Sequence, residues 1–470
     1  MTHKANFQLI FFFTIITSVF TFSSCSSDWP QFRGPEYNMV ATGNNLPTEW
    51  GNDKNVKWTY DIKGNSWSSP IIWGNKVFIS TAFSEKNVSG AGQGTPLTPR
   101  PQASPDSSNT QGAGQALPPP PLPPEDDKRY LNDVFRWELT CIDLKTGMEL
   151  WKQVAHKGNP RIKTHMGNTY ASGTPVTDGK RVYAYFGMTG LFCYDMDGNL
   201  LWQNDLEAYD TQNGWGTGSS PVLYKDMLYL QIDNEVNSFI VALDAKTGKE
   251  KWKVEREEKT NYSTPIIWKN KIRTELITSG KTARSYDLTT GELLWKLNLG
   301  GEQNIPSPVA DKNHLYLGNA GGSEATGTLF SVKAGAQGDI TPPEGELVSG
   351  GAEWSIPDAG TGNPSPLLYK GLIYILGSRG GEINCYNAST GENVYKEKVD
   401  KVASCWASPW AHNDKIYFID ERGVTNIILA GAQFEVLSQN KLDDRFWASP
   451  AITKNTYVFK GVERLYCIKN

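Results

Sequence analysis

The chain has 470 residues, with 45 Gly, 27 Pro and 16 Trp, 39% hydrophobic residues and a formal net charge of −4. The near-neutral balance, with no basic tract, excludes a nucleic acid as the main partner. The 11% aromatic content excludes a disordered chain, and Gly, Pro, Trp and Tyr together favour many short strands and turns.

Residues 1–24 read as a secretory signal: Lys4, an apolar run from Phe7 to Phe22, then small residues before Cys25. The run is broken by Thr and Ser and is short for a membrane span. Ser23-Ser24-Cys25 resembles a bacterial lipobox, with Phe22 where that motif prefers Leu. The resemblance implies cleavage before Cys25 and lipidation of its sulfur, which anchors a protein without a spanning helix. Residues 25–55 are then a lipidated segment and lead-in, and 56–470 a single domain.

That domain is periodic. A small residue two positions before a Pro, followed by apolar residues, recurs at Pro70, Pro175, Pro221, Pro265, Pro308, Pro366, Pro409 and Pro450. Apart from two insertions the spacing is a little over 40 residues. Each unit continues with a turn, an alternating apolar strand, a third strand, an Asp-x-x-Thr-Gly turn and a Trp. Asp143/Gly147/Trp151 and Asp244/Gly248/Trp252 are instances; Asn387/Gly391/Tyr395 is a variant. Asp bonds amides two residues on, Gly supplies positive φ, and the Trp can wedge between sheets. Four short antiparallel strands at this period predict an all-β, eight-bladed β-propeller. The last unit stops at LYCIKN without a fourth strand, and VKWTYDI, residues 56–62, supplies it. Cys141, Cys193, Cys385 and Cys467 fall where sister units have Ala242, Ser285 and Ser331, a small-residue site between sheets rather than a disulfide framework.

The pattern DGKRVYAYFGMTGLFCYDMDGNLLW … LDAKTGKEKW resembles the pyrroloquinoline-quinone-like propeller repeats. DWPQFRGPEYN, residues 28–38, is similar to the opening motif of exported bacterial members. The resemblance covers nearly all of the mature chain except residues 84–129. That family includes quinoprotein dehydrogenases and a non-enzymatic lipoprotein of outer-membrane barrel assembly, so the resemblance implies two functions. One is a non-catalytic binding or assembly scaffold, lipid-anchored in the bacterial cell envelope, with the outer membrane as the expected site. It would be a monomer whose partner is an envelope protein or an extracellular ligand. The alternative is a dehydrogenase oxidising alcohols or sugars with bound quinone and Ca²⁺. The chain departs from the dehydrogenases in lacking adjacent cysteines, and no Asp matches their catalytic one. No catalytic residue, resident cofactor or metal ligand is therefore assigned.

Residues 84–129 hold 10 of the 27 prolines, cannot bury a core, and read as a disordered insertion in the first blade. Residues 335–353 form a second loop. Links from fourth strands to the next Pro emerge on one face of the ring, where loops on a rigid scaffold carry binding. Two long links hold Arg161, His165 and Tyr170 in one and Trp215 in the other. Three residues before an anchor Pro stand Trp67, Tyr262, Trp406 and Trp447. Blades seven, eight and one are consecutive in a closed ring, so Trp406, Trp447 and Trp67 should share one arc. Such rings either stack on a ligand or pack between blades. Carboxylates near them, Asp443 and Asp444 among them, read as solvated loop charges.

Overall fold

The computed structural model describes residues 28–43, 45–87, 131–165, 167–301, 304–319 and 327–470. Residues 1–27, and with them the signal and Cys25, lie outside the described residues, as do 88–130 of the insertion.

Each sequence unit folds as an antiparallel meander, and the described strands form eight sheets in a ring. In the first blade the strands are Ile71–Trp73, Lys76–Ser84, Phe135–Asp143 and Glu149–Gly158. Their period-2 alternation buries both sheet faces against neighbouring blades, with Val77, Phe78, Ile79 and Cys141 at 1% exposure or less. The eighth sheet is completed from the other end of the chain. Val56–Asp61 pairs antiparallel with Arg464–Lys469, setting Trp58 opposite Cys467. This is the transferred strand expected from the sequence. It completes the last blade and closes the ring, so that every blade face packs against a neighbour.

The Asp-x-x-Thr-Gly turns and the Trp act together across blades. Asp143 Oδ1 accepts the amides of Lys145 (3.0 Å) and Thr146 (2.8 Å). Trp58 from blade eight lies over Gly147, and its indole N–H donates to Leu144 O at 2.9 Å. Trp151, Trp202 and Trp252 repeat this contact on the turns of the blades that follow them. Gly is required there twice over: φ is +74° at Gly147, and a Cβ would stand 2.6 Å from the Trp58 ring. The recurrent small residue sits across the strand pair from the same aromatic. Cys141 faces Trp151, Cys193 faces Trp202, Cys385 faces Tyr395 and Ala242 faces Trp252. The cysteines among the described residues are free and buried, and burial pushes the Cys141 and Cys467 thiols up to about 12.

Two features were not read from the sequence. The first is a hydrogen-bond belt. The residue immediately before each anchor Pro is Ser or Thr, and from Thr174 to Ser449 its hydroxyl accepts an amide from the preceding blade. Ser69 N–H donates to Thr174, Thr174 to Ser220, Ser220 to Thr264, and Thr264 to Ser307, at 2.9–3.0 Å. Ser307 continues to Ser365, Ser365 to Ser408, and Ser408 to Ser449. The second concerns residues 28–43, read above only as lead-in: they fill the middle of the ring. Innermost strands have a free edge of amides and carbonyls toward the axis, and buried groups of that kind need partners. Trp29 exchanges both backbone bonds with Ile72 of blade one (2.8 Å each), and Pro30 O accepts Thr177 N–H of blade two. Asn38 donates to Leu368 O in blade six at 2.8 Å. Met39 O and Ala41 N–H bracket Ala411 in blade seven. At the centre, Arg33 is 1% exposed and donates to Ser307 O (3.2 Å), Pro308 O (2.7 Å) and Pro366 O (2.8 Å).

Residues 335–353 also differ from a plain loop. Gly338–Asp339 pairs parallel with Leu293–Asn298 and adds a fifth strand to blade four. There Trp295 is fully covered, and its indole donates to Glu275 at 2.9 Å instead of to the next blade.

Candidate binding face

In a meander of this direction, fourth-to-first-strand links and second-to-third-strand loops leave at one end of the ring. First-to-second-strand turns and Thr-Gly turns leave at the other. The residues singled out from the sequence lie at the first end but do not form one cluster.

Trp67 and Trp447 do meet: their rings stack with centroids 4.3 Å apart and planes 25° from parallel. The Arg445 guanidinium lies 5.6 Å from the Trp447 ring centre, within cation–π range. Trp67 Nε1–H donates to Gly167 O (3.1 Å), and Gly167 N–H donates to His165 Nδ1 (2.9 Å). His165 in turn lies on Trp215, ring centres 3.9 Å apart. Asn168 joins the two long links by donating to Trp215 O (2.7 Å) and Thr217 O (3.1 Å). Trp447, Trp67, His165 and Trp215 therefore form one half-exposed strip, from blade eight across blade one to the links that follow. Accepting an amide fixes Nδ1 of His165 as unprotonated, and burial pushes its pKa down.

The other candidates stand apart. Trp406 is 40% exposed but makes no ring contact with Trp67 or Trp447; its indole donates to Glu421 at 3.4 Å. The expected arc of three tryptophans is thus a pair plus one, with the Trp406 indole turned to the Glu421 carboxylate. Tyr170 packs edge-on against Phe135, centroids 5.0 Å apart, and its hydroxyl donates to Ile162 O. Tyr262 is largely buried, with its hydroxyl unpartnered among the described residues and its pKa raised by that burial. Arg161 is bound bidentately by Asp205 at 2.8 and 2.9 Å. These are packing and link-bracing roles.

Beneath the strip lies a residue without any motif to mark it. Lys460 is 2% exposed, and its ammonium donates to Ser66 O (2.7 Å) and Ser68 O (3.0 Å), the carbonyls flanking Trp67. It fixes the backbone that presents the indole. Asp444 is not a solvated loop charge: it accepts the amides of Arg445 (2.7 Å), Glu463 (3.1 Å) and Arg464 (2.9 Å), and burial raises its pKa. It pins the loop carrying Trp447. Under blades three and four, Arg256 and Asp233 form a fully buried pair at 2.8 Å. Both lack a repeat signature, which is why the pattern did not reveal them.

Burial pushes Lys460 down to about 7 from its ordinary 10.5. Between those values the folded protein binds fewer protons than the unfolded chain, so this residue's contribution rises with pH across that window. Below pH ~7 both states are protonated and the cost of burying the charge is felt in full. Wild type should gain on Lys460→Met by up to about 1.4 kcal/mol per pH unit between pH 7.5 and 9.5. Urea unfolding at a series of pH values checks this; a difference between the two proteins that does not change with pH refutes it.

Residues 136–304 match the family model described as outer membrane protein assembly factor BamB. The tetrathionate hydrolase of Acidithiobacillus ferrooxidans is 24% identical over 270 residues, which is 55% of this chain and 41% of that protein. The chain thus spans about two fifths of the length of that curated relative. BamB from Moraxella catarrhalis is similar in structure, with a TM-score of 0.52 at 13% identity, over 71% of this chain and 91% of that one. Quinohemoprotein alcohol dehydrogenase from Comamonas testosteroni gives 0.54 at 10% identity, over 94% and 80%. At these identities the structures share a fold, and they are an assembly factor and an oxidoreductase. The repeat signature and the closed ring agree: this chain folds as an eight-bladed β-propeller, in which residues 136–304 match the BamB family model.

Proposed function

We propose that this protein is an exported, lipid-anchored propeller of the bacterial cell envelope that binds an envelope protein or extracellular ligand without performing chemistry on it. The observation that carries the reading is the strip of Trp447, Trp67, His165 and Trp215 on the loop-bearing face. Its rings are held by Lys460, Asp444 and Gly167 rather than by a covering layer of side chains. Half-exposed, pre-positioned aromatics give contact area at low entropic cost and are typical binding anchors. The match of residues 136–304 to an outer-membrane assembly factor supports an envelope setting. Among the described residues no helix is long and apolar enough to cross a membrane, so a lipid on Cys25 would be the attachment.

The quinone of the alternative reading is a planar polycarboxylate that needs free cations and a metal-binding donor set. The buried cations do not fit it: Arg33 is committed to three carbonyls, Arg256 to Asp233 and Lys460 to two carbonyls. No group of three or more His, Cys, Asp or Glu among the described residues could hold a metal.

The test is capture from cross-linked native envelopes. The double substitution Trp67→Ala/Trp447→Ala should reduce recovery of the specific partner by about tenfold or more, as loss of central aromatic anchors does. Lys370→Ala, at the opposite end, should leave it unchanged. Equal capture by all three proteins sinks the reading, and a quinone absorbance band on adding quinone with Ca²⁺ would favour the dehydrogenase.

A further inference from the structure

We propose that the end of the ring opposite the aromatic strip docks on an anionic lipid surface. Two independent observations carry this. The first is charge. The first-to-second-strand turns lie close to the axis at that end, and they carry exposed Lys180, Lys225, Lys269, Lys271, Lys312 and Lys454. None of these six pairs with a carboxylate among the described residues, in a chain whose net charge is −4. The acids in the same turns are engaged: Asp178 with Arg181, Asp226 with Lys246, Asp414 with Lys370, and Asp311 with the amides of Asn313 and His314. Between Lys271 and Arg273 stands Ile272, 61% exposed, an apolar tip on a basic turn. A ring of unpaired lysines close to the axis is drawn to anionic headgroups, and each one near the surface adds to the attraction.

The second observation is where the chain leaves the ring. Asp28 accepts the Gly74 amide (2.7 Å) in the blade-one turn of this same end. Residues 28–43 therefore enter the axis from here, and they leave here too, since Gly43 lies against Lys454 O in the blade-eight turn. Cys25 precedes Asp28 by three residues, which span at most about 10 Å. An acyl chain on Cys25 would hold this end, and not the strip, against the bilayer. The choice of lipid over an acidic protein rests on the anchor proposed above. The consequence is orientation: Trp67 and Trp447 point away from the membrane.

The test uses the full mature chain with Cys25→Ser, so that no acyl chain contributes. It is floated with phosphatidylcholine vesicles, with and without phosphatidylglycerol. Binding should be about tenfold or more stronger with the anionic lipid and should fall as salt rises. Lys225→Glu/Lys271→Glu/Lys312→Glu should abolish the preference, while Trp67→Ala/Trp447→Ala should keep it. Equal binding to neutral vesicles, no binding to either, or an unchanged triple variant overturns the proposal. So does saturable capture of an acidic protein by the lysine ring in place of vesicles. Palmitate labelling of the wild-type chain reads the anchor separately, so failure of the one is distinguishable from failure of the other.

Discussion

Arg33→Met lowers unfolding stability by about 3–5 kcal/mol, because three buried carbonyls lose their donor. The guanidinium bonds Ser307 O, Pro308 O and Pro366 O, which lie in two neighbouring blades. Burial lowers its pKa, but a guanidinium stays protonated, and the three carbonyls are the acceptors it has in place of water. Arg33→Lys keeps the charge but not the fork, so it should recover less than half of the loss. Residues 28–43 should also become cleavable by protease at concentrations that spare wild type. The denaturation midpoint and the cleavage site together check this; an unchanged midpoint means that the central segment is a passenger.

The second large effect is at the seam. Trp58→Ala should cost about 3–5 kcal/mol through lost burial and a cavity that rigid neighbours cannot fill. Gly147→Ala attacks the same contact from the other side, with a positive φ of 74° and a Cβ 2.6 Å from the indole. The double substitution should cost less than the sum by about 1 kcal/mol or more, since the smaller residue at 58 relieves the clash. Trp202→Ala and Gly248→Ala make the same pair inside the ring. Among the described residues only the Trp58 seam joins strands from opposite chain ends, so its loss should also unprotect Arg464–Lys469 in hydrogen exchange. If exchange there matches that of Trp202→Ala, the seam is no special point of opening.

The sequence by itself determined the blade. Eight Pro anchors, the Asp-x-x-Thr-Gly turn, the Trp after it and the small residue facing that Trp are local or periodic, and repetition averages away chance. Even closure was legible, because the final unit lacks a fourth strand and residues 56–62 have the right pattern to supply one. The hydroxyl belt was legible too, as Ser or Thr before every anchor Pro.

What belongs to one blade and one place was decided only by the tertiary structure. Arg33 meets carbonyls more than 270 residues away, and no spacing encodes that. Trp67 and Trp447 stack because the ring closes, while Trp406, with the same sequence position, turns to Glu421. Lys460 looks like any strand-end lysine until closure lays Ser66 and Ser68 against it. The eight units close into one ring, and residues 28–43, which carry no repeat signature, fill its middle. The reason is physical: periodic burial needs only neighbours in sequence, whereas a free inner edge and an exposed face exist only once the ring has closed.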